Sequence, residues 1–157
     1  MSARLALLLA LAVLGTSCAP IAAWYGHDST RTWRATVRER GGSQWVELGD
    51  RALPRYEAIG FSELVVASGH VAYPARIAGE WHVVRDDVPG PAWESIGEVA
   101  FSEDAEHLAY VAFRGAHAYV VTDGARGPAW DSVVTHTLGL GPTGKHSIYA
   151  ALRDGGV

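Results

Sequence analysis

Three observations predict an all-β chain assembled from repeats of about 37 residues. The first is a phrase that occurs twice: Gly90-Pro91-Ala92-Trp93-Glu94-Ser95-Ile96 returns as Gly127-Pro128-Ala129-Trp130-Asp131-Ser132-Val133, with the two tryptophans 37 residues apart. A fixed period in that range marks a structural unit before it marks a site. The second is a set of short runs, such as Trp81 to Val84 and Leu108 to Phe113, rich in aromatic and β-branched residues and bounded by Gly, Asp or Pro. The third is that no stretch after Leu14 shows an apolar helical stripe with caps.

The chain opens with an export signal. Met1 to Arg4 is a short positive segment, Leu5 to Leu14 is an uninterrupted apolar run, and Gly15-Thr16-Ser17-Cys18 follows with small residues. Ten residues of helix span about 15 Å, roughly half of a ~30 Å hydrocarbon core, so the run fits a signal peptide and not a membrane span. Cys18 is the only cysteine and so has no intramolecular disulfide partner. Its place after the apolar run resembles the lipobox of bacterial lipoproteins, although Gly15 stands where that box usually carries Leu. The resemblance implies that Cys18 is diacylated and becomes the mature N-terminus, and Ala19 after it implies sorting to the outer membrane. An ordinary signal cleaved near Ala22 or Ala23 is the alternative. Residues 1–17 are thus expected as signal peptide, 18–30 as lipidated terminus and tether, and 31–157 as the repeat domain.

Within that domain the repeats are marked at about 45–80, 81–117 and 118–157. An aromatic-led strand comes first: Trp45 to Asp50, Trp81 to Asp86 and Ala118 to Asp123, each copy ending on Asp. The last continues as Asp123-Gly124, a pair that tolerates the positive φ of a tight turn. Next comes the repeated phrase, whose aromatic position reads Tyr56, Trp93, Trp130; its Gly and Pro are expected to bend the chain between strands. A further apolar strand follows at His70 to Tyr73, His107 to Tyr110 and His146 to Tyr149. Its last copy lies 39 rather than 37 residues on, which places a two-residue insertion in Val134 to Pro142. Leu108-Ala109-Tyr110-Val111-Ala112-Phe113 does not alternate with polar residues, so both faces of its sheet should be covered.

In this order the motifs resemble the WD-repeat-like β-propeller repeats of bacterial envelope proteins, of the TolB type. Phe101-Ser102-Glu103-Asp104-Ala105-Glu106-His107-Leu108-Ala109-Tyr110 carries the resemblance best. That family commonly has Pro where Glu103 stands and Gly where Ala105 stands. The resemblance implies about three propeller-like blades over roughly Trp45 to Asp154, preceded by a strand at Thr32 to Arg38. Propellers use about 4 to 8 blades. Three outcomes follow: the N-terminal strand completes the last blade, chains complete one another in a homo-oligomer, or the sequence belongs to a longer array.

Hydrophobic content of 48% with 19% charge is that of a globular chain. A net charge of −4 with scattered arginines excludes a nucleic-acid footprint. Gly139-Leu140-Gly141-Pro142-Thr143-Gly144-Lys145-His146 is one residue away from a phosphate-binding loop, but His146 replaces the required Ser or Thr and no helix follows, so it reads as a glycine-rich hairpin loop. His70, His107 and His146 recur at one repeat position; converging imidazoles would bind Zn²⁺ or Cu²⁺, whereas histidines in separate repeats are surface residues. Ser95 and Ser132 have acidic neighbours but belong to the repeated phrase, and neither a Gly-x-Ser-x-Gly elbow nor a His-Glu-x-x-His zinc motif occurs. Glu94 and Asp131 are expected to cap turns. The series Tyr56, Trp93, Trp130 and Tyr73, Tyr110, Tyr149 is expected to pack between sheets, with an exposed glycan-binding row as the alternative. No cofactor and no catalytic residue is expected. The expectation is a non-enzymatic envelope protein that binds or scaffolds an envelope protein partner. It is anchored through Cys18 at the outer membrane, facing the periplasm or the cell surface, or else is soluble in the periplasm or secreted. A metal- or small-ligand-binding module and a fragment without independent function are the alternatives.

Overall fold

A computed structural model describes residues 20–27 and 32–153. The expected signal peptide, residues 1–17, and Cys18 lie outside the described residues. Apart from one turn of 3₁₀ helix at Phe61–Glu63, the described residues form strands, turns and loops. None of their helices is long and apolar enough to cross a membrane.

The strands form antiparallel sheets in chain order. The first sheet runs β1 (Pro20–His27), β2 (Thr32–Arg40), β3 (Ser43–Leu48) and β4 (Arg51–Tyr56). The second holds β5 (Ala58–Ile59) and β6 (Val65–Ala67), which both pair with β7 (His70–Ile77), followed by β8 (Glu80–Arg85) and β9 (Val88–Trp93). The third runs β10 (Ser95–Phe101), β11 (Leu108–Arg114), β12 (His117–Thr122) and β13 (Ala125–Trp130). A final unit contains β14 (Ser132–Val133), β15 (Gly139–Leu140), β16 (Ser147–Ile148) and β17 (Ala151–Leu152), with β14 paired to β17 and β15 to β16. These two short pairs correspond to β10 and β11 of the third sheet, interrupted by the loop that holds the two-residue insertion.

Three features differ from the sequence reading. Residues 20–27, expected within a tether, form a strand hydrogen-bonded along β2; pairing with β2 supplies an order that their non-periodic sequence does not announce. Each sheet also closes on the repeated aromatic, so the units run 20–56, 58–93 and 95–130 rather than starting at 45, 81 and 118. Finally, the ladders pair Gln44 with Tyr56, Trp81 with Trp93 and Ala118 with Trp130. Trp45 is therefore equivalent to His82 and Tyr119, not to Trp81. Aligning on the aromatic slips the first copy by one residue, and a one-residue slip turns a strand's side chains to the opposite face.

The repeated Gly-Pro also takes a different role. In the last strand of all three sheets the register shifts at the equivalent place: residues 53 and 54 lie opposite 46, 90 and 91 opposite 83, and 127 and 128 opposite 120. Gly90-Pro91 is thus a β-bulge inside the last strand of its sheet, not a bend between strands. Proline has no N–H for a ladder, so edge strands and bulges are where a sheet tolerates it.

Successive sheets share cores. Val37, Val46, Leu48 and Leu53 of the first sheet pack with Val71, Tyr73, Ala75 and Val84 of the second. Ala72, Val83 and Trp93 pack with Val99, Leu108, Tyr110 and Ala112 of the third. Ala109, Val111 and Val120 then pack with Leu138, against which Leu140 and Tyr149 rest. Strand β11 is the clearest case: Leu108 to Ala112 are all buried, with even positions in one core and odd positions in the next. That is why its sequence lacks alternation. Each fully buried Val or Leu contributes roughly 1.5 to 3 kcal/mol relative to exposure.

Candidate functional site

The histidine series is built into the sheets. His70 opens β7, and its Nδ1 lies 2.9 Å from Oδ2 of Asp86 just past β8. Oδ1 of Asp86 accepts from the Val71 amide at 3.1 Å, and the Asp86 amide donates to the Val71 carbonyl at 2.8 Å. One sheet later the arrangement recurs: His107 Nδ1 lies 2.7 Å from Asp123 Oδ2, Oδ1 accepts from the Leu108 amide, and the Asp123 amide donates to the Leu108 carbonyl. Both aspartates have positive φ, 57° and 49°, which turns each carboxylate back over the neighbouring strand. His146 is exposed in the loop before β16. The structure therefore places the three histidines in successive units, two of them clasped within their own sheets. Among the described residues no group of three or more His, Cys, Asp or Glu side chains is arranged to hold a metal ion. A recurring His and Asp 16 residues apart was the sequence signal for these clasps.

The loop before β11 is held by Ser102, whose hydroxyl donates to Asp104 and accepts from the His107 amide at 3.0 Å. These bonds, first from Ser102 and then from the Glu106 amide, hold the Asp104 carboxyl below its ordinary pKa. Gly141 to His146 repeats the turn: the Gly141 amide donates to the His146 carbonyl at 2.9 Å, and Gly144 has φ 64° where Ala105 has 58°. The glycine-rich segment is therefore a turn between β15 and β16, with no helix N-terminus to receive a phosphate. Glu94 caps the β11–β12 turn by accepting from the Gly115 amide at 2.9 Å, while Ser95 is exposed.

The aromatic series lies between units. Tyr56 meets Tyr73 edge-on at 6.2 Å, and Trp130 meets Tyr149 in the same way at 6.2 Å. Trp93 is 3% exposed and lies 5.6 Å from the Tyr119 ring. Sequence reading missed that arginines cover the tryptophans: Arg114 stands 4.8 Å over Trp93 and Arg153 stands 4.7 Å over Trp130. Each also donates to the backbone carbonyl just before its tryptophan, that of Ala92 or Ala129. Burial raises the pKa of Tyr73 and Tyr110, and the Tyr56 ring adds to the shift at Tyr73.

Between the second and third sheets lies a cleft of about 450 Å³. Val83, Leu108 and Tyr110 line it from the two sheets, and Pro89, Gly90 and Pro91 line it from the bulge of β9. Arg85, Asp86, Asp87 and Asp123 stand around it. Both terminal nitrogens of Arg85 are engaged, donating to the Ala105 and Glu106 carbonyls at 2.8 Å. Tyr110 is 3% exposed, and its hydroxyl reaches no hydrogen-bond partner. The Trp93 indole N–H is close enough to moderate the tyrosine's raised pKa without attaining hydrogen-bond geometry.

No family model, curated protein or solved structure matches the chain. What the site can do therefore rests on its own geometry. It holds an apolar cleft with a buried phenol and an acidic rim, of which Asp86 and Asp123 are tied to histidines and backbone amides and Asp87 meets Arg51.

Proposed function

We propose that this chain is an exported, lipid-anchored envelope protein whose sheets are propeller-like blades forming a non-catalytic protein-binding or scaffolding module. The observation that carries the reading is the repetition: three antiparallel units of four or five strands at a constant 37-residue register, each with the same bulge, stacked core to core in chain order. Consecutive antiparallel sheets of this kind are how propeller blades succeed one another. The repeat positions that carry chemistry, His and Asp, are spent on backbone clasps, which supports a scaffold over an enzyme. Among the described residues the final unit supplies two strand positions, and Ile148 and Leu152 on it are 70% and 59% exposed. Such an edge suits strand addition from a protein partner or a second copy.

Membrane fractionation of cells expressing the full chain, with mass spectrometry of the mature N-terminus, tests the anchor. The expected product begins at acylated Cys18 and leaves the membrane fraction on Cys18→Ser; a mature chain starting at Trp24 without lipid overturns it. For the module, the expected result is that exchanging Ile148 and Leu152 for lysine abolishes co-purification of a stoichiometric partner or second copy while the circular dichroism stays β-rich. Unchanged association in that variant overturns the edge as the binding surface.

A further inference from the structure

We propose that the outer face of the first sheet docks on an anionic lipid surface, with the later sheets directed away from it. The inference rests on the lipid-anchored reading above and adds which face meets the lipid. Strand pairing defines that face. The alternation that sends Val37, Val46 and Leu53 into the first core turns Arg34, Thr36, Arg38, Trp45, Glu47 and Arg55 to the other side of the sheet. One unit later, 37 residues on, the same positions are Val71, Tyr73, Ala75, His82, Val84 and Ala92. Of these, Val71, Tyr73, Ala75 and Val84 are buried in the core shared with the first sheet. The second sheet therefore offers apolar side chains to a neighbouring sheet, and the first offers Arg34, Thr36, Arg38 and Glu47 at the equivalent places. Covering that face with another sheet would bury its charges at a high desolvation cost, so it suits a polar, charged surface.

The sign of the face is positive. Arg38 and Glu47 offset each other across 2.9 Å, and the exposed Arg34 and Arg55 set the remaining charge. Arg55 stacks 3.9 Å over the buried Trp45, and Arg34 lies 6.0 Å over the ring of Tyr25, which is 60% exposed. A guanidinium fork matches phosphate geometry, and tyrosine is favoured at the headgroup level of a membrane. Charge elsewhere in the chain agrees with this orientation. Residues 32–56 hold five arginines and three acidic residues, whereas residues 57–153 hold six basic and twelve acidic ones. An anionic surface attracts the first sheet and repels the rest, which sets orientation as well as contact. The covalent anchor leads to the same place. Pro20 pairs with Arg38, in one cross-strand row with Trp45 and Arg55, and two residues of chain put an acyl group on Cys18 within about 7 Å of Pro20.

Lipid titration of the full chain carrying Cys18→Ser, which has no acyl group, measures the face apart from the anchor. Residues 1–17 are common to every variant, so differences between variants report the face. Partition into phosphatidylcholine vesicles with about one quarter phosphatidylglycerol should exceed partition into phosphatidylcholine alone, and should fall as salt rises from about 0.1 to 0.5 M. Adding Arg34→Gln with Arg55→Gln should weaken partition into the anionic vesicles roughly thirtyfold, the effect of two basic side chains at an anionic surface, and leave partition into phosphatidylcholine unchanged. Lysine at both positions should keep the preference. Arg126→Gln, at an exposed arginine of the third sheet, should not alter it. The proposal is overturned, and the face is only a polar cap on the stack, if the glutamine pair partitions like its parent or if Arg126→Gln weakens partition as much. The acyl anchor is read separately, by mass spectrometry of the chain with Cys18 intact: an unacylated product overturns the anchor, while the vesicle comparison still decides the face.

Discussion

The junction between the first and second sheets and the junction between the second and third are made from equivalent positions and end differently. Both use the last strand of one sheet, a two-residue bulge in that strand, and a buried tyrosine from the second strand of the next sheet. In the first, Leu53 is buried in the core that contains Tyr73; in the second, Gly90 and Tyr110 are among the residues that line a cleft. The backbone device is the same, and the side chain at the bulge differs, leucine in one junction and glycine in the other. A repeat protein can in this way hold its architecture constant and vary a site one unit at a time.

The largest effect should come from the anchor that both sides of the second junction need. Trp93→Ala removes a 3%-exposed indole and should cost about 3 to 5 kcal/mol, seen as a lowered urea midpoint or as loss of cooperative unfolding. Leu53→Ala imitates the open junction at the closed one. It should cost about 2 to 5 kcal/mol, toward the lower end if the space admits water beside Tyr73. Unchanged stability would mean that the two junctions are not packed differently.

Next in size is an alkaline limb. Burial raises the folded-state pKa of Tyr73 and Tyr110, so below about pH 10 both states are protonated and their contribution is fully present. Above it the unfolded tyrosines ionise first, the unfolded chain binds fewer protons, and stability falls by about 1.4 kcal/mol per pH unit for each residue until the folded value is reached. Tyr73→Phe should flatten that limb in urea midpoints measured from pH 9 to 11. The smallest effect is expected at the clasps. His107→Ala loses a partly exposed contact to Asp123 and should cost at most about 1 kcal/mol, with the Asp123 to Leu108 backbone bonds retained.

Much of the fold was legible because local chemistry and packing agree. The unbroken apolar run at Leu108 to Phe113 declared a strand covered on both faces, of which Leu108 to Ala112 are buried, and Asp123-Gly124 declared the turn it makes, with φ of 49° and 80°. The candidate site was less legible. Gly90 reads in sequence as half of a Gly-Pro punctuation mark, and only pairing against Val83 turns it into a bulge that faces Tyr110. The slip at Trp45 has the same origin: aromatic identity is a local property, whereas register is set by which residues pair across the strands. Strand β1 went unread for a related reason, since its hydrogen bonds come from β2 and not from a pattern of its own.

By itself, the sequence determined the all-β class and the 37-residue period, because strand propensity, turn chemistry and repetition are written residue by residue. Only the tertiary structure decided the frame of the units, the bulge in every last strand, the His–Asp clasps and the cleft at Gly90. Each of these depends on which residues meet across a ladder or between two sheets.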